Sequence, residues 1–309
     1  MKRKLGFKFI TQSSILLQFD RLAEKECVTA NGITRPLAEN WSKRRPNESA
    51  SFWYTRVQIV SMFSSFLRDL GFRSYVLKLP PYPAYNFIPY IYSPIEIKAI
   101  FKAADGLVLR ERAMQSSIFS VPALLRLLYA TGVRIGEALS LCETDVNLGE
   151  KYFKIKDSKN GKERIVPISS SLANVLEQYL LHKRRLPVAA MSNYFFVRLD
   201  GKRCSHQSVA QWFRRCLNEA DVRCIKRNNF PRIHDLRHTF AVTSLAAMAE
   251  DGVDLYASLP ILSTYLGHQS LASTNHYVRL TANMYPDLIR DMDVLCLDVF
   301  PKLENYETN

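Results

Sequence analysis

The sequence predicts a mainly α-helical protein in two domains, with one small β-hairpin in the second. Three observations predict it. Apolar residues recur at helical spacing through most of the chain. Prolines then crowd one stretch, where Pro80, Pro81, Pro83, Pro89 and Pro94 stand among Tyr82, Tyr85, Tyr90 and Tyr92. Only around residues 152–168 do apolar and polar side chains alternate about an Asn-Gly pair. A length of 309 residues is ample for two domains, and 47% hydrophobic residues can fill a core in each.

Residues 1–80 read as a helical domain. Ile15, Leu16, Phe19, Leu22 and Ala23 mark a helix over 11–25. A second starts near Thr34, with Pro36 tolerated in its first turn. A third spans 49–70, with Val60, Phe63, Phe66, Leu67 and Leu70 as its apolar stripe and Gly71 as its stop. Lys43-Arg44-Arg45 and Arg56 make this unit basic. Residues 81–93 form the linker, because prolines stiffen a chain and interrupt helices and ladders. The second domain, 94–309, opens with helices over 95–104, 118–131 and 136–141. The hairpin follows: Tyr152, Phe153 and Ile155 run out, Asn160-Gly161 turns, and Ile165, Val166 and Ile168 return. Further helices fall near 171–181, 207–219, 234–247 and 260–266. Leu288, Met292, Leu295 and Val299 share one stripe and predict a last helix.

Charge narrows the partners. Lys+Arg 42 against Asp+Glu 29 gives a net +13, which favours polyanions such as DNA, RNA or an anionic membrane surface. No apolar run is long enough to span a bilayer; the best, 121–133, is interrupted by Arg126. The basic start, Met1-Lys2-Arg3-Lys4, lacks the apolar core of a secretory signal. Six cysteines without a C-x-x-C pair read as reduced thiols, so a cytoplasmic location is expected. Cys204, Cys216 and Cys224 lie near His206, but their spacings match no common zinc pattern, and no metal or cofactor is expected.

Several residues carry chemistry. Arg134 follows Gly132 at the start of a helix, where free amides favour a phosphate, and Glu137 stands one turn on to hold its guanidinium. Lys159 and Lys162 flank the hairpin turn, and either can protonate a leaving alkoxide if its pKa falls. His234 and Arg237, three apart on a helix, can meet one phosphate. His234 and His238 also make a His-x-x-x-His pair, the half-site of a zinc hydrolase, with Asp235 where that site has glutamate. His268 ends a helix after Gly267, and Tyr277 follows at short range as a candidate nucleophile. Four of six histidines fall in these last two boxes.

The set, in this order, resembles the tyrosine recombinase (phage integrase) family over roughly residues 93–280. The resemblance implies that Arg134, Lys159, His234, Arg237, His268 and Tyr277 are catalytic, with Glu137 supporting. Lys162 is the alternative to Lys159, and His238 is left to local packing or hydrogen bonding. It implies a two-domain, C-shaped DNA clamp: a helical core-binding domain and a tyrosine-recombinase catalytic domain. It implies a site-specific recombinase that cleaves and rejoins DNA through a 3′-phosphotyrosine, without cofactor. The partners implied are double-stranded DNA core sites and a homotetramer on DNA, from a monomer in solution. The last helix can dock on a neighbouring protomer, and the early start of the first domain leaves no room for an arm-binding domain. The biological role implied is an integrase or a transposase of a mobile element. A type IB topoisomerase and an inactive DNA-binding regulator are the alternatives. The interval between His-x-x-Arg and Gly267 looks long for the family, with the excess placed within 247–259.

Overall fold

In the computed structural model, residues 9–28, 31–83, 88–108, 113–156, 163–186, 192–222, 230–268, 274, 277, 280 and 281 are described. The chain forms two compact units, Met1–Phe87 and Ile88–Asn309.

The first unit holds three helices, α1 (Ile10–Lys25), α2 (Arg35–Ser42) and α3 (Ala50–Asp69). Pro36 sits in the first turn of α2, and the Ser49 hydroxyl caps α3 by accepting from the Phe52 amide. Ile15, Phe19, Leu37, Trp41, Val57, Val60 and Leu77 form the core. The predicted stripe of α3 is corrected here. Its buried face is Arg56, Val57, Val60, Ser61 and Ser64, while Phe66 and Leu70 are exposed. The face is polar because the chain on either side folds back onto it. Ser61 donates to the Leu77 carbonyl and Ser64 to that of Tyr75. Arg56, counted in the sequence among the residues that make this unit basic, is wholly buried. It donates to both Glu48 carboxylate oxygens, at 2.6 and 2.8 Å, and to the carbonyls of Trp41 and Lys43.

The second unit contains α4 (Pro94–Asp105), α5 (Val121–Thr131), α6 (Ile135–Leu139), β1 (Val146–Asn147), β2 (Tyr152–Ile155) and β3 (Arg164–Pro167). It continues with α7 (Ser170–Lys183), α8 (His206–Glu219), α9 (Asp235–Glu250) and α10 (Leu255–Leu266). The strands form one antiparallel sheet in the order β1-β2-β3, so the hairpin carries a short third strand that alternation in the sequence did not disclose. The Asn160-Gly161 turn, Lys159, Lys162 and the 288–299 stripe lie outside the described residues. Among those described, no helix is long and apolar enough to cross a membrane.

Helix α5 lies at the centre, with Val121, Leu124, Leu125, Leu127 and Leu128 all buried in the main core. The boundary between the units falls within the proline-rich stretch, after Phe87, and Tyr92 beyond it is buried in the second core. The Tyr92 amide donates to Thr239 Oγ1 at 3.0 Å and its hydroxyl to the Arg232 carbonyl, also at 3.0 Å. Helix α10 starts earlier than the sequence suggested. The Asp254 carboxylate caps it through the Ala257 amide, so Pro260 falls inside the helix at the loss of one backbone hydrogen bond.

Replacing one partner of the buried Arg56–Glu48 pair leaves the other charge without compensation. Glu48→Leu should therefore destabilise the first unit by roughly 3–5 kcal/mol. A urea titration followed by tryptophan fluorescence in a Trp212→Phe background reads this directly; an unmoved midpoint would deny the pair any structural weight.

Candidate active site

The site begins with a turn that only glycine fits. Gly132 ends α5 in the left-handed region (φ 59°), and a Cβ there would lie 2.4 Å from Phe240 Cδ1. The turn delivers Arg134 as the N-cap of α6. Glu137 closes it from three residues on, accepting from the Arg134 amide and from Arg134 Nη1, each at 3.0 Å.

The same carboxylate has a second guanidinium. Arg164, on β3, donates through Nη1 and Nη2 to the two Glu137 oxygens at 3.2 and 2.8 Å. Burial pushes the Glu137 carboxyl up. The Arg164 hydrogen bond and charge, followed by those of Arg134, outweigh it and hold the group below the usual carboxylate range.

Helix α10 supplies the other anchor. It ends at Gly267 (φ 66°), and the His268 amide returns to the Ser263 carbonyl at 3.0 Å. Three consecutive carbonyls at this end each accept from a different arginine. Arg164 Nε meets Tyr265 at 2.9 Å, Arg237 Nη2 meets Leu266 at 2.8 Å and Arg134 Nη2 meets Gly267 at 3.3 Å. The negative end of the helix is a suitable place for cations. Arg237 also donates through Nη1 to the Gly132 carbonyl at 2.8 Å. It is the most buried of the three; burial, and then Arg134, lowers its pKa to about 10, still cationic at neutral pH.

His268 Nε2 lies 2.8 Å from Arg237 Nη2, and Nδ1 lies 2.7 Å from Thr274 Oγ1. A guanidinium has no lone pair, so Nε2 accepts, and Nδ1 carries the proton and donates to threonine. The imidazole is thus neutral. Burial, then Arg237, Arg134 and Arg164, pushes its pKa down to about 4. In this arrangement both ring nitrogens are engaged, Nε2 by Arg237 and Nδ1 by Thr274. His234, at the entry to α9, is also held down to about 4, by the protein packed around it and then by Arg237, Arg232 and Arg134, although its edge remains open to solvent. Asp235 is buried and turned away, accepting from the Arg232 amide at 2.8 Å and from Arg232 Nη2 at 3.1 Å.

Tyr277 joins this group within the same chain. Its ring is buried, nearly parallel to that of His268 at 6.1 Å between centroids. Its hydroxyl lies 3.0 Å from Nδ1 of His238, a residue 39 positions away in sequence. Arg134, Glu137, Arg237, His268 and Tyr277 are therefore brought together, with His234 at their edge; Lys159 is outside the described residues. Sequence reasoning assigned no role to Arg164 and missed the long-range partner of His238. The only signal for the latter was its place one helical turn after His234. Of the cysteines near His206, Cys204 and Cys216 are buried, and among the described residues no three His, Cys, Asp or Glu side chains are grouped to hold a metal ion.

Helical fold, paired arginines and a tyrosine beside them define the class. The chain belongs to the phage integrase family, whose model matches residues 93–284. Over 296 residues it is 30% identical to "Putative integrase/recombinase y4rB" of Sinorhizobium fredii, covering 95% of this chain and 94% of that one. Among solved structures, the XerA recombinase is 22% identical with a TM-score of 0.52, over 93% of this chain and 92% of that one. The XerH site-specific recombinase, in a post-cleavage complex with palindromic difH substrate, is 20% identical with a TM-score of 0.58, over 82% and 70%. At these identities the two structures share the fold.

Two outcomes follow from the electrostatics. Glu137→Gln removes the charge that both Arg134 and Arg164 grip. It should cost about 2 kcal/mol at neutral pH, seen as a lowered urea midpoint; no shift would mean the carboxylate is dispensable. The second concerns acid. Both imidazoles have folded pKa values near 4, below the ordinary ~6.5. The unfolded chain therefore takes up their protons first, so stability is full above ~6.5 and declines from there towards pH 4. Ring-proton NMR should find His268 still neutral at pH 5; protonation already complete there would contradict the arrangement.

Proposed function

We propose that the chain is a site-specific DNA recombinase whose Tyr277 hydroxyl attacks a backbone phosphorus and forms a 3′-phosphotyrosine. The observation that carries this reading is the phenol packed against His268 beside the buried Arg237, all in one chain. Arg134, Arg237 and His268 stabilise the charge that builds on the non-bridging oxygens. Arg134 has the more exposed guanidinium, 26% against 12% for Arg164, so it is the one open to incoming phosphate. As Arg237 turns to the same anion, the His268 tautomer switches: Nδ1 accepts from the Thr274 hydroxyl, and Nε2, now carrying the proton, donates to the phosphate. Lys159 protonates the departing 5′ oxygen, and His234 helps move the tyrosyl proton. Glu137 supports both arginines. The ester conserves the bond energy, so a 5′-hydroxyl from another strand reverses the step without metal or nucleotide.

Residues 1–80 act as the core-binding domain and residues 94–309 as the catalytic one. Together they grip double-stranded core sites as a homotetramer assembled on DNA from monomers. The last helix docks on a neighbouring protomer. The net charge of +13 suits this partner. The reading places the protein in the cytoplasm, as an integrase or transposase of a mobile element.

A pool of nicked duplexes with randomised cores provides the test, because release of the short cleaved end traps the covalent product. The wild type should yield denaturant-resistant protein–DNA adducts and Tyr277→Phe none. Adducts persisting in the Phe variant would remove Tyr277 from the reaction; none from the wild type would remove the function.

A further inference from the structure

A phenol titrates near pH ~10, so efficient attack requires a group that accepts its proton. Among the described residues, three histidines lie near Tyr277. His268 is poorly suited, since one ring nitrogen faces Arg237 and the other Thr274. Its ring also lies nearly parallel to the phenol, at 18°, rather than edge-on to the hydroxyl. Arg237 offers no lone pair. His234 lies beyond His238, their rings perpendicular with centroids 5.0 Å apart. His238 is the histidine whose ring nitrogen meets the phenolic oxygen, at 3.0 Å.

We infer that His238 is a catalytic residue: its Nδ1 takes the Tyr277 proton during strand cleavage and returns it during rejoining. The inference rests on Tyr277 being the nucleophile. In the cleaving step the Oη–H proton passes to Nδ1, the Oη–P bond forms and the P–O5′ bond breaks. The 5′ oxygen leaves with a proton from the acid assigned to Lys159. His238 is then an imidazolium, protonated on both nitrogens, with His234 beside it as the next group towards solvent. Rejoining runs the other way: the 5′-hydroxyl attacks phosphorus and returns its proton to the group assigned to Lys159, the Oη–P bond breaks, and the phenolate leaves with the His238 proton. Helix geometry favours the assignment. His238 directly follows Arg237 on α9, so one rigid element sets both the phosphate clamp and the proton acceptor.

The probe is a nicked duplex recovered from the pool described above, used with the full chain. His238→Ala should form adduct at least ~100-fold more slowly than wild type. Added imidazoles should restore the rate, and across a substituted series the restored rate should rise with basicity. His238→Asn keeps an acceptor near the Nδ1 position but cannot hold the proton. It should bind the duplex like wild type and cleave as slowly as His238→Ala. This variant keeps the test valid if the alanine protein folds poorly. Wild-type cleavage by His238→Asn, or rescue independent of basicity, overturns the inference while leaving Tyr277 as nucleophile. Loss of adduct from the wild type itself, by contrast, overturns the function on which the inference rests.

Discussion

Three arginines at the carboxyl end of one helix organise the site. The last carbonyls of an α-helix have no partner within it, and they carry the negative end of its dipole. At α10 those of Tyr265, Leu266 and Gly267 are taken in turn by Arg164, Arg237 and Arg134. These cations come from β3, α9 and the start of α6, so one helix end ties three distant segments together. Charge-assisted hydrogen bonds are each worth about 1.5–3 kcal/mol. The sum must offset the repulsion of three like charges and the desolvation of Arg237. Glu137 tips the balance, since its single carboxylate serves both Arg134 and Arg164.

Placing like charges together has a chemical consequence. Burial, and then the neighbouring guanidiniums, make a further positive charge costly, which is why His234 and His268 stay neutral far below their ordinary range. A neutral imidazole keeps a lone pair, and in His268 that lone pair turns to Arg237. Stability and function thus pull on the same contacts. Arg134, Arg237 and His268 are satisfied by carbonyls, by Glu137 and Thr274, and by one another.

What could be read from the sequence was local. The Gly-x-Arg turn, the Glu three residues later and the His-x-x-Arg spacing are set by one or two turns of helix, and the structure brings these residues together. The helices followed periodicity closely, apart from the early start of α10, where Asp254 as a cap overrides Pro260 as a boundary. What escaped depends on contacts far apart in the chain. Arg164 is defined by a carbonyl 101 residues away. His238 is defined by a phenol 39 residues away. The burial of Arg56 escaped for a different reason: the sequence shows it only as one of the unit's basic residues, and not that Glu48 folds over it. Periodicity records which face is buried only when that face is apolar, and the buried face of α3 is not.

Tyr277, Arg237, Arg134 and His268 all belong to one polypeptide. The phenol is therefore seated against an imidazole and guanidiniums of its own chain, and the fold of a single copy sets their spacing.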